Sequence, residues 1–253
     1  MLILPGDATN SIEFRLEGPL PQLPKFFVSS LSVSVGPYYS ASEHESHFLE
    51  TAGSGQWYPG EGDEVRFDPS TGVLSSLILR LPDNNSAEGY CWSGSSASRS
   101  SQADLSIPAE GRVCNMPSAS LRCISPSGDL LAGLWRTSLE FKSIDQELVV
   151  TPSLSLVASR GSVVGWSLSN PERYIADSFE STPDEGPDST LANVLARYLS
   201  LVDEAAADQM LDGDTFIRSE LLRMIEDLDV RQGAAGRRLI LIDAIQELLD
   251  FYY

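Results

Sequence analysis

VRFDPSTGVLSSLILRLPD, residues 65–83, decides the reading of the fold. Within it, Asp68-Pro69-Ser70-Thr71-Gly72 combines a carboxylate that caps a turn, a proline that presets φ and a glycine free to take positive φ, the composition of a β-hairpin turn. Behind the turn, Val73, Ser75, Leu77, Leu79 and Leu81 fall on one face of an extended chain, and Leu74, Ser76, Ile78 and Arg80 fall on the other. Both faces are largely apolar, which predicts a strand covered on both sides and central in its sheet.

Related phrases occur on either side of this hairpin. CISPSGDLLAGLWR, residues 123–136, places Pro-Ser-Gly-Asp before another apolar run. A third hairpin is expected where ELVVTPSLSLVAS and SVVGWSLS flank Arg160-Gly161. One shared turn phrase is thin ground for an internal repeat. SGSSASRSSQ, residues 93–102, is too poor in apolar side chains to order itself and reads as a mobile loop.

After STPDEGPDS, residues 181–189, the apolar spacing changes from two to three and four. Asp188 or Ser189 caps a first helix carrying Leu191, Val194, Leu195, Tyr198, Leu199 and Val202 inward and ending near Leu211. Asp214 or Thr215 starts a second, with Ile217, Leu221, Met224, Ile225 and Leu228 inward, and a third runs from about Ala235 to Phe251. The expected fold is therefore α+β: an antiparallel β-rich N-terminal body over residues 1–180, then a three-helix C-terminal segment over residues 187–253, packed on the body as a subdomain or as part of a single domain.

The chain of 253 residues is 42% hydrophobic, enough to fill a core, and carries 36 acids against 17 bases for a formal charge of −19. Such a charge repels nucleic acid and anionic membranes and favours a basic protein surface as partner. Only Lys25 and Lys142 are lysines. Cys91, Cys114 and Cys123 show no CxxC spacing, so reduced thiols in a cytoplasmic protein are expected. MLILPGDATN has no basic n-region and breaks at Pro5-Gly6, which predicts neither a secretory leader nor a membrane span. The acids concentrate late: residues 179–253 hold 16 acids and 6 bases, against 20 and 11 in residues 1–178. Asp203, Glu204, Asp208, Asp212 and Asp214 gather around one helix end, and Glu226, Asp227 and Asp229 around the next. Carboxylates at a helix C-terminus oppose its dipole, so these eight are the candidate partner-binding residues.

Sites for chemistry are scarce. EHESH, residues 43–47, holds both histidines. Ser42 with Glu45 reads as a capping box, which would place His44 and His47 on one helix face. Yet no third histidine or nearby cysteine completes a zinc site, and HExxH is not matched. DQMLDGDTFIRSE, residues 208–220, lacks calcium-loop oxygens at positions three (Met210) and twelve. GSGQWYPGEGDE, residues 53–64, has no phosphate-binding pattern and reads as a turn-rich loop whose Trp57 and Tyr58 serve as anchors or as a binding surface. No catalytic, metal or cofactor motif is present. The leading expectation is a non-enzymatic immunity or inhibitor protein that neutralises a basic bacterial toxin domain, nuclease or deaminase, by direct binding. The alternatives are a carboxylate- or metal-dependent hydrolase and a structural scaffold component.

Overall fold

A computed structural model describes residues 1–5, 10–54, 62–85, 97–110, 113–114, 116–135, 144–181, 186–228 and 235–253. In chain order the first elements are β1 (Leu2–Ile3), β2 (Asn10–Leu16), β3 (Lys25–Phe27), β4 (Ser32–Val35), α1 (Ala41–Glu50), β5 (Ala52–Gly53), β6 (Glu64–Phe67), β7 (Leu74–Arg80), β8 (Ser98–Ser100) and β9 (Ala103–Glu110). Then come β10 (Val113–Cys114), β11 (Leu121–Ile124), β12 (Leu130–Leu134), β13 (Gln146–Val149), β14 (Leu154–Ser159), β15 (Ser162–Ser169), a 3-10 turn (Pro171–Tyr174) and β16 (Ile175–Ala176). The chain closes with α2 (Ser189–Leu201), α3 (Glu204–Leu211), α4 (Thr215–Asp227) and α5 (Ala235–Tyr252).

The strands form two sheets. One runs β10-β9-β1-β15-β14-β13-β8, with β2 also on β9 and the β11–β12 hairpin joined to β15. The other runs β16-β3-β4-β7-β6-β5. The 65–83 hairpin forms as β6 and β7, and β7 lies between β4 and β6. Asp68 Oδ1 accepts from the amides of Ser70 (2.8 Å) and Thr71 (2.9 Å), and Gly72 takes φ +69°. The hairpin at Arg160-Gly161 closes on two consecutive left-handed residues, φ 52° and 83°.

The architecture departs from the expected antiparallel body with a three-helix tail. Both sheets are mixed: β1 lies parallel to β9 and to β15, β8 parallel to β13, and β16 parallel to β3. The five helices of the described residues are interspersed, with α1 between β4 and β5. The helix expected from 189 to 211 breaks at Val202–Asp203, because two side chains compete for its backbone. Buried Arg122 of β11 donates through Nη2 to the Val202 carbonyl, and Asp203 turns out to extended φ/ψ so that its carboxylate accepts from Ala206 N at 2.8 Å and starts α3. Residues 98–100 of the expected mobile loop form β8, while 93–96 lie outside the described residues. Cys123 of β11 is disulfide-bonded, contrary to the expectation of reduced thiols.

One continuous apolar core joins both sheets to α2, α3, α4 and α5. Phe14 of β2 stacks on Phe67 of β6 at 5.4 Å, bringing one sheet against the other. Trp166 of β15 is wholly buried over Gly133 of β12, where a Cβ would sit 2.5 Å from the indole ring. Asp63 ties the sheets polarly. Its Oδ1 accepts from Arg80 N at 2.6 Å and its Oδ2 from Trp135 Nε1 at 3.0 Å. Both bonds favour the carboxylate, yet burial outweighs them and pushes the Asp63 pKa up to about 7.

Asp188 closes the helical side. Its carboxylate caps α2 through Thr190 N and Leu191 N, both at 3.1 Å, and receives Arg238 of α5 in a buried fork, Nε at 2.7 Å and Nη2 at 2.9 Å. Arg237 donates to the Glu172 and Gly186 carbonyls at 2.8 and 2.7 Å. Removing one partner leaves a buried charge uncompensated. Asp188→Ala is expected to lower unfolding free energy by about 3–5 kcal/mol in chemical denaturation. Asp188→Asn, which keeps a capping oxygen, should cost less; equal stability of all three proteins would refute the fork's role.

The Asp63 shift has a definite sign. A carboxyl whose folded pKa lies above its unfolded 3.8 contributes stability that is complete below 3.8 and lost as pH rises through about 7. The stability difference between the native protein and Asp63→Asn should therefore fall by roughly 4 kcal/mol between acid and mildly alkaline pH. A pH-independent difference in urea titrations would contradict the shift.

Candidate functional site

The eight acids singled out from sequence do not form one cluster. Thirteen helical positions separate Asp214 from Asp227, roughly 20 Å along α4. Several have local structural work. Asp203 caps α3 and also accepts from Asn85 Nδ2 at 3.3 Å; Asp214 caps α4 through Phe216 N (2.7 Å) and Ile217 N (3.1 Å). Glu204 lies in the first turn of α3, where the helix dipole favours a negative charge. Asp227 pairs with Arg197 of α2 at 2.5 Å. The expectation that these acids lack a stability role is thus corrected for Asp203, Glu204, Asp214 and Asp227. Asp208, Asp212 and Glu226 are exposed and make no ion pair among the described residues. Trp57, Tyr58 and Asp229 lie outside the described residues.

The turn between α3 and α4 also presents large apolar groups. Leu211 is 70% exposed and Phe216 67%, beside Asp208 and Asp212. Asp208, Leu211 and Asp212 share one helical face by their spacing of three and four. Tyr253 docks beneath this knuckle, its hydroxyl donating to the Asp214 carbonyl at 2.7 Å and its ring lying 5.6 Å from the Arg218 guanidinium. An apolar pair flanked by uncommitted carboxylates is equipped for contact with a surface that is apolar at its centre and basic at its rim.

The histidines meet elsewhere. Ser40, not Ser42, caps α1: its Oγ accepts from Glu43 N, while Glu43 Oε2 accepts from Tyr39 N at 2.6 Å. No residue of α1 is fully buried. The helix is held instead by Arg66 of β6, whose guanidinium stacks 3.9 Å from the Phe48 ring and donates to the carbonyls of Phe48, Thr51 and Ser54. A cation at these terminal carbonyls also complements the helix dipole. His44 and His47 share the inward face. His44 Nε2 lies 3.2 Å from Glu64 Oε1, and His47 Nε2 lies 3.0 Å from Ser76 Oγ. Both rings contact Tyr38, centroids at 4.8 and 5.5 Å, and Phe179 stacks on His44.

Chemically, the set is divided. The imidazole beside the serine hydroxyl is His47, whereas the carboxylate orients His44, so serine, histidine and acid do not align as a relay. Ser76 is also wholly buried. Among the described residues no group of three or more His, Cys, Asp or Glu side chains is placed to hold a metal ion, and no helix is long and apolar enough to cross a membrane. The cluster instead surrounds Tyr38, whose phenol bonds Ser34 Oγ at 3.0 Å and whose pKa is raised by burial.

Burial first, then the Arg66 charge, lowers the His47 pKa against the opposing pull of Glu64. A depressed histidine favours the fold above the unfolded value of 6.5, an advantage lost as pH falls through the folded pKa. NMR titration of the His47 ring is expected to give a midpoint below 6.5; a midpoint at or above that value would remove the burial account. Comparison with protein-family models, with curated proteins and with solved structures returned no match.

Proposed function

We propose that the chain is a protein-binding protein that engages a basic partner through the α3–α4 knuckle. The observation supporting this reading is the exposure of Leu211 and Phe216 beside Asp208 and Asp212, carboxylates the fold leaves uncommitted, in a chain of net charge −19. Apolar side chains at the centre of a contact supply affinity, and surrounding charge supplies steering and selection. In its finer form the proposal is an immunity-type inhibitor that covers the cationic active site of a toxin domain, nuclease or deaminase, inside the producing cell. That form places the chain in the cytoplasm, where thiols are kept reduced, so the Cys123 disulfide weighs against this compartment.

The test is quantitative. With the partner isolated from the native cell, Phe216→Ala is expected to weaken binding about tenfold or more, and Asp208→Ser with Asp212→Ser by a similar factor. Native affinity should fall with added salt, and the salt slope should flatten in the doubly substituted protein. All these side chains are exposed, so melting temperature should barely move. Salt-independent binding that survives both sets of substitutions would reject the knuckle. Growth arrest by the partner alone, relieved by this chain, would support the immunity form; a harmless partner would remove that form only.

A further inference from the structure

A cleft of about 230 Å³ opens between β3, β4 and the segment before them, independent of the acidic knuckle, with Pro21, Leu23, Tyr38 and Tyr39 as apolar walls and Lys25 as its cation. The space exceeds the roughly 150 Å³ that accommodates benzene. Gly36 makes room for one wall, since a Cβ there would fall 2.2 Å from the Tyr38 ring. Lys25 is 8% exposed. One N–H of its ammonium reaches the Phe179 carbonyl, the nitrogen lies 5.0 Å from the Tyr39 ring centre, and no carboxylate of the described residues stands within ion-pair distance. The acid that acts on it electrostatically, Glu43, is committed to the Tyr39 amide. At the wall, Ser34 Oγ and Tyr38 OH bond each other, leaving hydroxyl oxygens able to accept further bonds.

We propose that this cleft binds a small aromatic monocarboxylate, its carboxylate on the Lys25 ammonium and its ring between Tyr39, Tyr38 and Leu23. A buried ammonium without a counter-ion is stabilised by an anion that arrives with its own apolar body. One lysine is a point charge without the fork or the bank of amides that phosphate sites use. The negative field of the whole chain further disfavours a dianion.

Benzoate and phenylacetate, titrated calorimetrically into the full chain, are expected to bind with dissociation constants in the millimolar range or tighter. The neutral analogue benzamide and inorganic phosphate should bind at least about tenfold more weakly. Lys25→Met should abolish the preference for carboxylate over amide. Tyr39→Ala, at an exposed ring, should weaken benzoate about tenfold with the fold intact, which keeps the test decisive where Lys25→Met does not fold. Absence of carboxylate binding at ten millimolar, equal binding of benzamide, equal binding of phosphate, or unchanged affinity in Tyr39→Ala would each overturn the proposal.

Discussion

The fork between Asp188 and Arg238 is the constraint on which the helical half depends. One carboxylate meets two demands at once: the open amides at the start of α2 and a guanidinium that would otherwise be buried without a counter-charge. The neighbouring Arg237 reaches back to carbonyls at Glu172 and Gly186, on the path from the last strands into α2. The start of α5 thus fixes the start of α2, although fifty residues separate Asp188 from Arg238. Apolar stripes supply most of the free energy of helix packing, but they tolerate sliding and rotation. A bidentate pair seated at a helix cap does not, so it sets the angle at which the stripes meet.

Arg122 plays the corresponding part where strands meet helices. Wholly buried in β11, it bonds Asn85 Oδ1 at 3.0 Å and captures the Val202 carbonyl, with Asp203 close enough to favour its charge. The apolar spacing from 191 to 211 is consistent with one long helix, and nothing local to it reports an arginine eighty residues earlier. The break between α2 and α3 is therefore a tertiary event. The same reasoning explains the mixed sheets. Hairpins were legible because turn chemistry is local: Asp68 and Gly72, or Arg160 and Gly161, fix their strands with neighbouring residues alone. Parallel pairs such as β1 between β9 and β15 join distant segments, and an isolated Leu-Ile-Leu carries no trace of either neighbour.

The candidate sites were legible to different depths. That His44 and His47 would share a helix face followed from their spacing, but the cap lay two residues before the one expected, and their partners Glu64, Ser76, Tyr38 and Phe179 come from distant segments. Acid content marked the region 203–229 without separating working caps from free charges. An N-capping aspartate and an uncommitted one look alike until the helix boundary is known. The buried stripe of α4, by contrast, already left Phe216 outside it, and an aromatic residue off the buried face is the signal that periodicity could have supplied. Lys25 offered no comparable sign: its meaning lies in which carboxylates are absent around it.

A surplus of negative charge also constrains where binding sites can form. Self-repulsion works against the compact state, and the fold answers it by giving many carboxylates a helix N-terminus or an arginine. Asp203, Asp214 and Asp188 are used this way, as is Asp227 with Arg197. Carboxylates left outside these arrangements retain their full field toward solvent, and at Asp208 and Asp212 that field surrounds exposed apolar side chains. Lys25 inverts the pattern. Burial disfavours its charge, and the capping geometry of α1 holds Glu43 on an amide instead of releasing it to pair. Helix capping thereby determines both kinds of surface: it consumes the acids that stabilise the fold, leaves a few free to face a basic partner, and keeps one cation available to an incoming carboxylate.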